Sequence, residues 1–135
     1  MAYYLDTSAL VKLVVAEPES GALREWVSAP NRRAVSSDLA RTELVRAVRR
    51  ASPHLAAGAR AVLDSLVLLR MTAETFESAG RIDPPSLGSL DALHLAGALG
   101  LGDELDGLVT YDDRLGEAAA SLGIPVLAPG ALTHR

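Results

Sequence analysis

The chain has 135 residues, of which 49% are hydrophobic and 22% charged, and that size and apolar content fit one ordinary domain and exclude a disordered chain. With no cysteine, a disulfide scaffold, thiol catalysis and thiolate metal sites are excluded and a cytoplasmic protein is expected, while aromatics at only 4% argue against a base-stacking platform. The net charge of −4 argues against generic polyanion binding, yet residues 24–60 carry eight arginines against three acids and residues 61–135 carry four arginines against eleven acids. Residues 2–6 read as a short buried strand ending at Asp6. Thr7 or Ser8 is placed to cap a helix over 9–16 that Pro18 stops, and 19–28 forms a second helix with Leu23, Trp26 and Val27 as its apolar positions. After the Pro30-Asn31 turn, 34–37 is a second strand. Ser37 or Asp38 caps a third helix, which runs to about residue 51 and breaks at Ser52-Pro53. A fourth helix over 54–66 leads to a third strand at 67–71, and Thr72 caps a helix over 73–81. Past the Asp83-Pro84-Pro85 loop, 89–99 is a strongly apolar helix ended by Gly100 and Gly102. The chain closes with a strand at 108–111, a helix over 112–122 with Gly123 just past its end, and a fifth strand at 125–127.

Strands alternating with helices predict an α/β fold with a parallel sheet, and the absence of a linker or repeat predicts one domain over residues 1–135. No apolar run approaches the roughly 20 residues of a membrane span, and the N-terminus has no signal-peptide pattern. No membrane association is expected.

Four acids draw attention. Ligands of an open parallel sheet bind beyond the carboxyl ends of its strands, and two strands here end in an aspartate, Asp6 and Asp112. Each also suits a helix N-cap, and both readings stay open. Glu43 shares the stripe of Ala40, Leu44, Ala47 and Val48 in the third helix, and an inward carboxylate needs a partner. An ion pair with Arg46 or Arg50 at the edge of that stripe is the alternative. Asp91 lies in a helix apolar nearly all round, where it either caps the helix start or has a chemical role. His94, at i+3 from Asp91, is placed to hold it, but a lone histidine in such a helix is more often a satisfied core residue, so His94 is left out of the catalytic set. Carboxylates gathered at close range repel one another, and a hard divalent cation removes the conflict. An all-oxygen set suits Mg²⁺ or Mn²⁺, and a water held by such an ion is a nucleophile for phosphodiesters. The arginines of 24–60 are either a solvated helix face or a track for phosphates.

The segments Leu5-Asp6-Thr7-Ser8-Ala9-Leu10, Thr42-Glu43-Leu44, Leu90-Asp91-Ala92-Leu93-His94-Leu95-Ala96 and Val109-Thr110-Tyr111-Asp112 occur in this order over the whole chain. Together they resemble the PIN-domain ribonucleases, in particular the VapC-type toxins of bacterial toxin–antitoxin pairs. The resemblance implies a three-layer fold, a parallel sheet of about five strands flanked by helices. It implies Mg²⁺- or Mn²⁺-dependent endonucleolytic cleavage of RNA, leaving 5′-phosphate and 3′-hydroxyl ends. The acids at the motif positions, Asp6, Glu43, Asp91 and Asp112, would form the metal site and be the catalytic residues, with Ser8 and Thr110 as supporting hydroxyls. Asp113 leaves a local ambiguity, since it could cap the helix or stand in for Asp112. A homodimer and a small antitoxin whose tail reaches the acidic site are also implied. Leu23, Trp26 and Val27 are candidate surfaces for either partner, or ordinary core.

Two other classes that begin with an aspartate at a strand end fit poorly. A haloacid-dehalogenase-like phosphatase needs a second Asp where Ser8 stands, and a phosphoacceptor receiver needs a late lysine, whereas the only lysine is Lys12. A catalytically silent PIN fold that binds RNA or protein is the remaining alternative.

Overall fold

The computed structural model describes residues 1–132. β1 (Ala2–Leu5) leads to α1 (Thr7–Lys12) and α2 (Ser20–Val27), and β2 (Arg33–Ser37) leads to α3 (Leu39–Ala51) and α4 (Ala56–Asp64). β3 (Val67–Leu69) is followed by α5 (Ala73–Ala79) and α6 (Ser89–Leu99), then by β4 (Leu105–Val109), α7 (Asp113–Ser121) and β5 (Val126–Leu127). The five strands form one all-parallel sheet in the order β3-β2-β1-β4-β5.

The two-residue period of a strand sorts the core onto two faces. Tyr4 points to one side, packing with Val35, Leu95, Leu108 and Leu115 beneath α6 and α7. Leu5 and Val109 point to the other, packing with Leu10, Leu23, Leu44, Val48 and Leu63 beneath α1 to α4. Every one of these side chains is almost wholly excluded from solvent, and burying each contributes about 1.5–3 kcal/mol before the entropy of ordering is subtracted. The result is the three-layer α/β fold expected from the sequence. Leu23 belongs to this core, and Trp26 and Val27 pack against it. Trp26 meets the Tyr3 ring edge-on at 4.8 Å, with the Arg32 guanidinium 4.4 Å from its own ring centroid. The core reading of these three residues is therefore the one the structure favours.

From β1 the chain winds outward to β2 and β3, then returns past β1 to β4 and β5. The winding reverses between β1 and β4, whose connections leave in opposite directions and open a crevice beyond their carboxyl ends. Leu5 is in register with Val109, so Asp6 and the Thr110-Tyr111-Asp112 segment face each other across that crevice.

Several local expectations are corrected. Asp6 itself caps α1, its Oδ1 accepting from the Ala9 amide at 3.1 Å, and neither Thr7 nor Ser8 does so. The α-helix stops at Lys12, and residues 13–15 continue in tight turns closed onto Leu10 and Val11. The predicted helix over 54–66 divides into a 3₁₀ turn, Pro53–Leu55, and α4. β4 begins at Leu105, earlier than expected, because Gly107 belongs inside it. A Cβ at Gly107 would stand 2.6 Å from Leu127 Cδ1 and 3.1 Å from the Pro125 carbonyl, so only glycine lets β5 lie so close.

Candidate active site

Asp6 is 3% exposed and sits at the bottom of the crevice. Its Oδ1 accepts from the Ser8 hydroxyl at 2.7 Å as well as from the Ala9 amide, and its Oδ2 accepts from the Thr110 hydroxyl at 2.6 Å. The same two hydroxyls accept from the next strand's connection: Ser8 Oγ from the Tyr111 amide at 2.9 Å, and Thr110 Oγ1 from the Asp112 amide at 3.1 Å. The hydroxyls thus tie the ends of β1 and β4 together and fix Asp6 between them. Burial pushes the Asp6 carboxyl above its ordinary pKa, and the hydrogen bonds from Thr110 and Ser8 offset only part of that.

Asp112 caps α7, its Oδ1 accepting from the Arg114 and Leu115 amides at 2.9 and 3.2 Å. Asp113, the first residue of that helix, is exposed. The cap is therefore Asp112, and the alternative of Asp113 as the cap is set aside.

Glu43 projects from α3 and pairs with neither Arg46 nor Arg50. Its Oε1 accepts from the Thr7 hydroxyl at 2.8 Å and faces His94 Nε2 at 2.6 Å. Burial raises the Glu43 pKa, but the His94 hydrogen bond and charge, with the Thr7 bond, outweigh it, and the carboxyl lies below its ordinary value. His94, which stands at i+3 from Asp91, contacts Glu43 and not Asp91. His94 is 2% exposed, and its other nitrogen, Nδ1, lies 2.8 Å from the Tyr4 hydroxyl. The signal available in the sequence was that His94 and Asp91 are the only titratable side chains on an otherwise apolar helix.

Asp91 lies in the first turn of α6 but caps nothing, since Gly88 occupies the cap position. It has no hydrogen-bond or ion-pair partner among the described residues. Its carboxyl is pushed above the ordinary value by burial, then by the Asp112 charge, with Asp6 and Glu43 adding to it against His94.

The donor chemistry suits a hard cation. All four groups are carboxylates, and Glu43 Oε2, Asp112 Oδ2 and both Asp91 oxygens have no protein donor among the described residues, while Asp6 Oδ2 has one. No three His, Cys, Asp or Glu side chains among the described residues are grouped closely enough to hold a metal ion in the arrangement seen. Asp91, which would give up no hydrogen bond, is the group best able to turn inward. Beside the site runs a groove of about 610 Å³, with Thr7 and Glu43 at one end, Arg46 and Arg50 of α3 along one wall, and Phe76 and Leu90 opposite. Arg46, Arg49 and Arg50 are exposed and form no ion pair among the described residues.

The PIN-domain family model matches residues 3–121 of this chain. Ribonuclease VapC46 of Mycobacterium tuberculosis is 47% identical over 128 residues, covering 95% of this chain and 98% of that protein. Ribonuclease VapC47 of the same species is 42% identical, covering 96% and 98%. The chain belongs to the PIN-domain family and, within it, to the VapC-type ribonucleases. Among solved structures, Mycobacterium tuberculosis VapC20, described as a toxin cleaving the sarcin-ricin loop, superposes with a TM-score of 0.73 at 19% identity, covering 94% of this chain and 99% of that one. VapBC2 from Rickettsia felis, bound to a DNA fragment from their promoter, gives 0.70 at 17% identity, covering 96% and 99%. At such identities these two structures speak for the fold alone.

Proposed function

We propose that the protein is a metal-dependent endoribonuclease acting as the toxin of a toxin–antitoxin pair, with Asp6, Glu43, Asp91 and Asp112 holding Mg²⁺ or Mn²⁺. The observation that carries this reading is the geometry of the crevice: Asp6 and Asp112 follow the facing ends of β1 and β4, and Glu43 is bonded to Thr7, the residue next to Asp6. Membership of the VapC-type ribonucleases supports RNA as the substrate. When bound, the ion would supply positive charge at the scissile phosphate and a water acidic enough to attack it. The chain's own residues prepare for this. Ser8, Thr110 and the Ala9 amide lock Asp6, Thr7 and His94 orient Glu43, and the Arg114 and Leu115 amides hold Asp112. Arg46 and Arg50 line the groove that holds Glu43, Arg49 lies with them in the adjoining depression, and their guanidinium groups, unpaired among the described residues, suit the phosphates of a single strand.

The remaining elements of the reading follow the family. The described residues form one unit, consistent with a single domain over residues 1–135. A cognate antitoxin is the expected partner, consistent with the paired VapBC2 neighbour, and the chain is expected to work as a homodimer in the cytoplasm. No helix among the described residues is long and apolar enough to cross a membrane.

The test is cleavage of RNA by purified protein with excess EDTA and after adding Mg²⁺ or Mn²⁺. Cleavage is expected to stop with the chelator, return with the ion, and leave 5′-phosphate and 3′-hydroxyl ends. Undiminished cleavage in EDTA, or 2′,3′-cyclic phosphate ends, contradicts the metal reading. RNA binding with no cleavage at any metal concentration returns the protein to the catalytically silent alternative.

A further inference from the structure

Glu43 is the one acid of the site on a long side chain, and fixing such a chain costs up to about 2 kcal/mol of rotamer freedom. Two donors converge on a single oxygen, Oε1: the Thr7 hydroxyl at 2.8 Å and His94 Nε2 at 2.6 Å. His94 cannot swing. It is almost wholly buried, its ring stands edge-on to the Tyr4 ring at 5.7 Å and 71°, and Nδ1 is 2.8 Å from the Tyr4 hydroxyl. The Tyr4 hydroxyl donates in turn to Ser37 Oγ at 2.8 Å, so the imidazole is tied at Nδ1 to the core of the sheet. On the other side, Nε2 meets the same Glu43 oxygen that accepts from Thr7.

We propose that His94, anchored by Tyr4 and Ser37, is the positioning residue that fixes the Glu43 carboxylate, occupying Oε1 and leaving Oε2 for the metal ion. The inference rests on the proposed metal-dependent activity. Its logic is that of an outer partner orienting a ligand, for which loss of the partner typically costs about 10–100-fold in metal affinity or activity. The chain runs from β2 through β1 and α6 to α3 and α1, so the core of the sheet sets the geometry of one ligand. His94 is not a catalytic residue in this account, because it touches only Glu43, Tyr4 and, at 3.5 Å, Thr7.

The experiment compares the parent with Tyr4→Phe, His94→Gln and His94→Leu. Mn²⁺ affinity is read from the electron-spin signal of the free ion, cleavage of a single-stranded RNA by kcat and KM, and folding by thermal melts. His94→Leu is expected to weaken Mn²⁺ binding and lower kcat by about 10–100-fold with little change in KM. His94→Gln, whose amide can still donate to Oε1, should recover most of that loss. Tyr4→Phe keeps the ring but removes the anchor, and should fall between the two. If His94→Leu does not fold, the Gln and Phe variants carry the comparison: parent-like Mn²⁺ affinity and kcat in Tyr4→Phe then overturn the proposal. A folded His94→Leu that binds Mn²⁺ and turns over like the parent overturns it, as do Gln and Leu variants impaired equally. A parent that neither binds Mn²⁺ nor cleaves RNA overturns the proposed function and this inference together, which is distinguishable from a functional parent indifferent to His94.

Discussion

Asp6 and Asp112 each follow a strand and cap the helix that comes next, whereas Glu43 and Asp91 project from helix flanks and cap nothing. The strand-end pair is built into the fold: Asp6 accepts three hydrogen bonds and Asp112 two, all from local backbone or from the hydroxyls that join β1 to β4. On the helix flanks, Glu43 is held by Thr7 and His94, two side chains from other elements, and Asp91 by none among the described residues. The carboxyl group is thus a structural hydrogen-bond acceptor at the strand ends and close to purely chemical at Asp91. Carboxylates that look alike in a motif differ in what their loss does to stability, and that difference can be measured.

The largest effect is expected at Asp6. Asp6→Ala removes a cap and leaves the Ser8 and Thr110 hydroxyls without their acceptor in a buried site, a loss of about 3 kcal/mol together with activity. Chemical denaturation checks it, and a variant as stable as the parent would erase the distinction between the two pairs. Next come the arginines that share α3 with Glu43. Arg46→Gln with Arg49→Gln should weaken RNA binding about tenfold and lower its salt slope by about 1.4, at roughly 0.7 per phosphate contact on a single strand. An unchanged slope in a binding titration returns these residues to a solvated face. At Asp112, Ala should cost about 1 kcal/mol of stability, while Asn, which still caps, should cost little, and both should abolish cleavage. Equal stability of the Ala and Asn variants would mean that the cap contributes nothing.

The smallest and most diagnostic effects lie on the helix flanks, where the two acids carry opposite signs. The Glu43 carboxyl is lowered, so its charge stabilises the native state above the ordinary 4.5, and that contribution is lost as pH falls through the lowered folded value. The Asp91 carboxyl is raised, so its charge destabilises the native state at neutral pH, and the penalty disappears as pH falls toward the ordinary 3.8. At neutral pH Glu43→Gln should therefore melt lower than the parent and Asp91→Asn equal or higher. The gain for Asp91→Asn is less than about 1 kcal/mol, because the side chain is only partly buried and solvent screens it. Melts followed from pH 7 to pH 3 should show both differences shrinking. Differences of the same sign would contradict the charge arrangement described above.

Much of this was legible in the sequence because it is local. Five short apolar segments, the first four each followed by a helical pattern, specify the sheet, and an aspartate just past a strand is visible as both cap and ligand. The choice of Asp6 over Thr7 or Ser8 as cap was not, since three adjacent polar residues offer the same chemistry and only the direction of the strand decides. The start of β4 at Leu105 was not legible either, because nothing local announces that β5 will press against Gly107. His94 is the buried, satisfied histidine that its apolar helix suggested, but its partner is not Asp91 at i+3. The imidazole turns inward to Glu43, 51 residues away, beside a tyrosine whose orientation depends on the pleat of β1. Contacts of that kind arise only once three elements have packed.

The central claim, that the four carboxylates form one cation site, is tested most directly by the shift in melting temperature that Mn²⁺ produces in the parent and in Asp91→Asn. A ligand that binds only the native state stabilises it by about 2.7 kcal/mol at a hundred times its Kd, so a real site gives a clear shift in the parent. The account predicts a distinctly smaller shift in the variant, although its metal-free form is at least as stable. Equal shifts in the two proteins, or none in the parent, would contradict it.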